Sequence, residues 1–179
     1  TPADIIFYFT TCGWMMWNWL VSSLAVGATL VCYDGNPFYP TSDALLKMAA
    51  DLGITIFGTS AKYIATLEDV EVIPNQLSSF PQLQLITSTG SPLADESFDY
   101  VYEKWKRDVQ LSSIAGGSDI ISCFVLGSPT LPVYRGEIQC KGLGMDIDCF
   151  DAGGHSLIDR QGELVCKSAF PSMPVYFWN

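Results

Sequence analysis

The sequence predicts an α/β fold: a mostly parallel sheet with helices on both faces over residues 1 to about 127, followed by an antiparallel, β-barrel-like portion over residues 128–179. Three observations carry this. Short β-branched and aromatic runs alternate with helical segments through the first two-thirds of the chain, the pattern of parallel strands joined by right-handed crossovers. After Gly127-Ser128-Pro129 the texture changes to alternating polar and apolar residues. The 179 residues are 49% hydrophobic and 16% charged, which allows a sizeable core and argues against wholesale disorder.

Ile5 to Thr10 reads as a buried strand, broken by Gly13. Trp14 to Val26 reads as a helix apolar nearly all round, buried or bordering a pocket, and too short to span a bilayer. Gly27 ends it, and Ala28 to Tyr33 is the second strand. Asp34-Gly35-Asn36-Pro37 is a turn by composition. Thr41 or Ser42 caps a helix through Leu45, Leu46, Met48, Ala49 and Leu52, which Gly53 ends. Ile54 to Phe57 is the third strand, and Thr59 or Ser60 caps the next helix, carrying Tyr63, Ile64 and Leu67. A short helical turn around Asn75 to Ser79 interrupts an irregular stretch before the fourth strand, Leu83 to Ser88. The helix Ala94 to Lys106 puts Phe98, Val101, Tyr102 and Trp105 on one face, and Val109 to Ile114 is the fifth strand. Beyond residue 128, Gly136 to Cys140, Asp146 to Phe150 and Gly162 to Cys166 read as antiparallel strands, with Gly153-Gly154 as a hairpin turn signal.

Composition excludes several function classes. The net charge is -10 with no basic run, which sets nucleic-acid binding aside. Six cysteines without a C-x-x-C pair, and a single histidine, make a zinc site or disulfide scaffold improbable. Several cysteines lie in apolar runs and read as buried free thiols, which fits a reducing, cytoplasmic setting. His155, beside Gly153-Gly154, reads as solvated and not as a base. No G-x-G-x-x-G follows the first strand and no Ser-His-Asp set can be assembled. The opening Thr1-Pro2-Ala3-Asp4 and the closing Phe177-Trp178-Asn179 read as cuts through a longer protein.

In a parallel sheet, ligands bind outside the carboxyl ends of the strands. The loops there are Thr10 to Gly13, Gly58 to Ser60, Ser88 to Pro92 and Ala115 to Asp119, all rich in Gly, Ser and Thr. Ser112 to Ile120 is the central stretch. Its two glycines permit positive φ and close ligand approach, and Ser118 and Asp119 add a hydroxyl and a carboxylate. It suits a nucleotide-phosphate and metal site, or an ordinary strand-to-loop corner, which the stretch alone favours. Thr87 to Pro92 either lets backbone approach a flat ring or makes a strand-to-helix turn, Pro92 suiting helix entry. Arg135-Gly136-Glu137 reads mostly as a strand start.

Taken together, these segments resemble the adenylate-forming enzymes of the acyl-CoA synthetase superfamily, most closely the branch that activates acetoacetate. The resemblance rests on Thr10 to Trp19, Phe57 to Ile64, Thr89 to Leu93, Leu111 to Ile120, Pro132 to Glu137 and Pro171 to Val175, in order along nearly the whole chain. It implies activation of acetoacetate with Mg2+ and ATP to an acyl-AMP, then transfer to coenzyme A. By that resemblance Gly90, Ser91 and Pro92 contact base and ribose. Ser113, Ile114, Ala115 and Gly117 belong to the same nucleotide-binding stretch. Ser118 meets the α-phosphate and Asp119 helps hold Mg2+. Asp119 stands where the family usually has Glu, one methylene longer, so its reach to the metal would run through water. Gly116 matches a tryptophan that closes the acyl pocket in acetyl-CoA synthetases, and glycine would leave room for a four-carbon acid. Met15, Met16 and Thr89 match other pocket walls, and Thr59 and Ser60 fall near the pantetheine tunnel.

The resemblance also implies parts outside this sequence: a phosphate loop upstream, and a ribose-binding Asp and a lysine-bearing C-terminal lid domain downstream. The 179-residue chain is therefore expected to be inactive by itself. Other acyl- or aryl-CoA ligases, and a non-catalytic nucleotide-binding fragment, are the competing expectations. The partners expected are acetoacetate, ATP and coenzyme A, with no membrane span.

Overall fold

The computed structural model describes residues 1–178, so Asn179 of the terminal aromatic run lies outside the described residues. In chain order the first part contains β1 (Ile5–Tyr8), α1 (Met15–Ser22), β2 (Thr29–Val31), α2 (Ala44–Leu52), β3 (Ile56–Ser60), α3 (Ala61–Asp69), α4 (Pro74–Leu77), β4 (Leu85–Thr89), α5 (Asp95–Tyr100) and β5 (Gln110–Ser113). The strands form one sheet in the order β2-β1-β3-β4-β5, and every pairing is parallel. The chain moves one way from β1 to β2 and then reverses past β1 to β3. With right-handed crossovers, that reversal places the β1–β2 helix and the later helices on opposite faces.

Register explains the core. Phe7, Phe57, Ile86 and Leu111 sit side by side on four neighbouring strands, each at most 1% exposed. Strand alternation points them to one face. There they meet Leu45, Leu46 and Ala49 of α2, Ile64 and Leu67 of α3, and Phe98 of α5. The next row, Tyr8, Gly58, Thr87 and Ser112, points the other way. Gly58 is required by packing: a Cβ there would run into the Tyr8 ring from the adjacent strand. Toward that second face, Met15 of α1 packs with Ile114 and Cys123.

Local signals set the helix ends. Ser60 caps α3 by accepting a hydrogen bond from the Tyr63 amide at 3.1 Å. Gly53 ends α2 in the left-handed conformation, as its position predicts. Three helices depart from expectation. α2 has Asp43, and not Thr41 or Ser42, at its N-cap, and no side chain caps it. The segment 14–26 is α-helical only over α1 and finishes as a 3-10 turn, Ser23–Val26. It is not buried all round: within α1 Met15 and Leu20 are buried, while Trp14, Leu24 and Val26 are exposed. A short helix with neighbours on one side buries one stripe. The segment 94–106 is α-helical to Tyr100 and then opens into a π turn, Val101–Trp105. The Lys106 amide bonds the Val101 carbonyl at 2.9 Å, and both Val101 and Trp105 end in the core.

Antiparallel pairing begins at Ala115. β6 (Ala115–Gly117), β7 (Ser122–Leu126) and β8 (Cys140–Lys141) form a three-stranded sheet, while β9 (Ile147–Phe150) and β10 (Glu163–Cys166) form a hairpin-like pair. Among the described residues these are two small sheets and no closed barrel is formed. The strand expected over Gly136 to Cys140 shrinks to β8 because Gln139 organises a loop instead of a ladder. Its side chain accepts from the Ser128 amide and donates to the carbonyls of Ser128, Leu131 and Pro132. The Gly153-Gly154 turn forms, closed by the Asp151 amide on the His155 carbonyl and flanked by a Phe150–Ser156 bridge. All six cysteines are free, but only Cys123 is buried, and Cys12 and Cys32 are exposed. Membership of an apolar run therefore does not bury a thiol at a strand or loop end. No described helix is long and apolar enough to cross a membrane.

Candidate functional site

A cavity of about 680 Å³ opens at the carboxyl ends of β1, β3, β4 and β5. The sheet order reverses between β1 and β3, and such a switch point leaves a crevice at the strand ends. The loop after β4 supplies Thr89, Gly90, Ser91 and Pro92. The continuation of β5 into β6 supplies Ser113, Ile114, Ala115, Gly116, Gly117 and Ser118. Met15 and Met16 come from the first turn of α1, and Thr59 from β3. The cavity thus gathers every candidate site residue named from the sequence except Asp119, which is exposed and outside the lining; of the four loops expected to converge, Thr10 to Gly13 does not reach it, and only its neighbours Phe9 and Trp14 do.

Hydrogen bonds tie these loops together. The Thr89 hydroxyl donates to the Ile114 carbonyl at 3.1 Å, coupling the β4 loop to the end of β5. Ser118 Oγ accepts from the Met15 amide at 3.0 Å, joining the first residue of α1 to a stretch 103 residues away. That bond occupies an acceptor lone pair of Ser118 and leaves its O–H proton free for an anionic oxygen. The hydroxyls of Tyr8, Thr59, Thr87 and Ser88 are buried without a hydrogen-bond partner in the protein. Each such group costs about 1–3 kcal/mol when left unmet, so a ligand or water that reaches them gains their bonds. Burial pushes the Tyr8 phenol up to about 12, partly offset by nearby Thr87, and pushes the Cys123 thiol up to about 12. Both groups are neutral in the ordinary pH range.

The two central glycines differ. Neither uses the positive φ that glycine permits, and Gly117 is extended at φ -159. A Cβ on Gly117 would meet nothing within 4 Å. A Cβ on Gly116 would collide with the Ser122 carbonyl oxygen and come within 2.6 Å of the Cys123 Cα, at the bulge where β6 pairs with β7. Gly116 is demanded by backbone approach, whatever it also does for pocket size. The left-handed residue of this stretch is Ile121, at φ 49, which turns the chain from Ser118-Asp119 into β7. For a β-branched side chain that conformation costs about 1–3 kcal/mol.

Sequence reading missed several lining residues. Tyr8 and Phe9 end β1, and Leu93 and Phe98 come from the α5 region. Their signal was present, since they adjoin loops already identified. Gly136, Glu137 and Ile138 form a further wall. The Arg135-Gly136 pair is a turn and not a strand start, closed by the Glu137 amide on the Tyr134 carbonyl at 3.2 Å. As for a metal, no group of three or more His, Cys, Asp or Glu gathers among the described residues. Mg2+ commonly uses one or two carboxylates with waters and substrate phosphates, a sparse donor set that the exposed Asp119, next in sequence to the lining residue Ser118, fits by its chemistry.

Comparison with known proteins bears on this cavity. No family model matches the chain. The acetoacetyl-coenzyme A synthetase of Rhizobium meliloti (strain 1021) is 57% identical over 177 residues, covering 99% of this chain and 27% of the relative. The chain is homologous to about a quarter of an acetoacetyl-CoA synthetase. The acetoacetyl-CoA synthetase of Danio rerio is 51% identical over all 179 residues, again 27% of its own length. Among solved structures, acetoacetyl-CoA synthetase from Streptomyces lividans superposes with a TM-score of 0.91 at 42% identity, over 99% of this chain and 28% of that one. A benzoate CoA ligase from Burkholderia xenovorans LB400 gives 0.80 at 23% identity, which shows the shared fold. That fold is the one of the adenylate-forming enzymes.

Proposed function

We propose that this chain forms the acid- and nucleotide-binding heart of an acid–thiol ligase. The reaction activates acetoacetate with Mg2+ and ATP to acetoacetyl-AMP and diphosphate, then passes the acyl group to coenzyme A, releasing AMP. The observation that carries this reading is the convergence of the β4 loop, the β5–β6 stretch, the first turn of α1 and the end of β3 on one cavity, in a chain 57% identical to an acetoacetyl-CoA synthetase. The Gly90-Ser91-Pro92 loop offers flat backbone to base and ribose, with Ser113, Ile114, Ala115 and Gly117 along the same nucleotide. The Ser118 hydroxyl, its acceptor side taken by the Met15 amide, donates to an α-phosphate oxygen. Asp119 would hold Mg2+, and when bound the ion would neutralise phosphate charge. Met15, Met16, Thr89 and Gly116 would enclose the acid, and Thr59 would face the thiol substrate.

This chemistry depends on positioning and on charge stabilisation around phosphates. The chain spans about a quarter of the length of its curated relatives, so activity is assigned to a longer protein containing it. The test is diphosphate release by that protein with ATP and a panel of acids. Acetoacetate should give the highest kcat/KM, and a preference for acetate would sink the substrate assignment. The 179-residue chain alone should form no acyl-adenylate; ATP- and acetoacetate-dependent adenylate from it would overturn that part.

A further inference from the structure

The cavity has one wall that no expectation covered, and that wall is anchored by charge. Arg135 lies between two carboxylates of α5, donating from Nε to Asp99 at 3.0 Å and from Nη1 to Asp95 at 3.1 Å. Asp95 and Asp99 are four residues apart on a helix and so share a face. Gly136 follows with φ 77, and a Cβ there would collide with Asp95 Oδ1. The turn is therefore pressed onto the helix as well as paired with it. Immediately beyond, Gly136, Glu137 and Ile138 line the same cavity as the loops of β4 and β5, with Phe98 of the same α5. Glu137 is the one carboxylate among the lining residues. The ion pairs bridge 36 and 40 residues and join the segment after β7 to the parallel-sheet part.

We infer that Arg135 is a positioning residue, a latch that holds the Gly136–Ile138 wall against α5 and thereby sets Glu137 at the cavity. The oxygens of a carboxylate accept hydrogen bonds, so Glu137 suits a ligand group that donates them. Of the groups expected beside Gly90 to Pro92, the base amine is such a donor, the ribose hydroxyls being expected on an Asp outside this sequence. This assignment rests on the reading of the cavity as an ATP site. The pairs are half-exposed and contribute little to global stability, so the latch acts on ligand fit and not on folding.

The test uses the full-length protein containing this sequence, first confirmed to release diphosphate with ATP and acetoacetate. If the unaltered protein does not, the functional reading fails before the latch is tested. Arg135→Gln should raise KM for ATP by about two- to five-fold, with kcat, KM for coenzyme A and Tm nearly unchanged. Arg135→Lys, a point charge that cannot fork between two carboxylates, should fall between. Glu137→Gln should raise KM for ATP by a similar factor, and the double variant should add little. Unchanged ATP KM in both single variants, additive effects in the double variant, or kinetic losses that follow a fall in Tm would each overturn the inference. A Glu137→Gln effect that vanishes at high Mg2+ would also overturn it, marking Glu137 as a metal ligand.

Discussion

The parallel-sheet part and the antiparallel part are built on different principles. In the first, one cluster of twenty buried apolar residues spans four strands and three helices. In the second, the cluster under β7 and β9 has three buried members, Ile120, Met145 and Ile147. Around it large apolar side chains face solvent: Leu143 is 96% exposed and Ile158 83%. Burial of apolar surface is the dominant favourable contribution to folding, so the sheet part is where the stability resides. The antiparallel part is held by its short ladders and by polar fasteners such as Gln139 and Lys167. The cavity lies where the two meet: a rigid floor of strand ends, with Ser118 and Glu137 supplied by loops from the looser part.

The contrast breaks most readily at Phe57, which lies at the centre of the aligned row and touches Phe7, Tyr63 and Trp105. Phe57→Ala should cost about 3–5 kcal/mol in denaturant unfolding of the chain. A loss below about 1 kcal/mol would mean that the row does not carry the fold. Gly116→Ala is next, at about 1–3 kcal/mol, because its Cβ must displace the β7 backbone. Gly116→Trp should do worse, so a shift in acid preference from that variant is interpretable only if the protein still folds. Gly117→Ala should stay within about 0.5 kcal/mol, since open space surrounds it and its backbone is extended. Equal effects at the two positions would remove the distinction between them.

A smaller effect concerns pH. Asp148 on β9 is held down to about 2, first by the Ser156 hydroxyl, then by Lys167. A depressed carboxylate contributes stability above its unfolded value near 4, lost as pH falls from there through about 2. Lys167 is itself raised by Asp148 and Asp146, so it stays protonated across this window. Between pH 4 and 2 the amides around β9 and β10 should lose hydrogen-exchange protection before those of β3 and β4. Asp148→Asn should abolish that step, and simultaneous loss in both parts would contradict the division. The smallest effect belongs to Leu143→Ala, expected within about 0.5 kcal/mol because the side chain already faces water.

Much of this was legible because it is local. The order of strands and helices follows from apolar periodicity. The Gly-, Ser- and Thr-rich loops at the strand ends identified Ser118, Gly90 and Thr59 as cavity residues before any geometry. What escaped was non-local. Gly58 carries no sequence sign that it makes room for Tyr8. Apolar composition left open whether Trp14 to Val26 is buried or borders a pocket; packing decided for the second, with Trp14, Met15 and Met16 at the cavity and Leu24 and Val26 exposed beyond α1. The strand expected from Gly136 became a turn because Gln139, Arg135 and Asp95 found partners across the fold.

The sequence by itself determined the α/β class, the parallel strands and the Gly-, Ser- and Thr-rich composition of the loops at their carboxyl ends, since period and composition act over a few residues. Only the tertiary structure decided why residue 116 must be glycine and 117 need not be, which hydroxyls are left without partners, and that a latch to α5 brings Glu137 to the cavity. Those features are distances between residues far apart in the chain, and they exist only once burial has drawn the strands together.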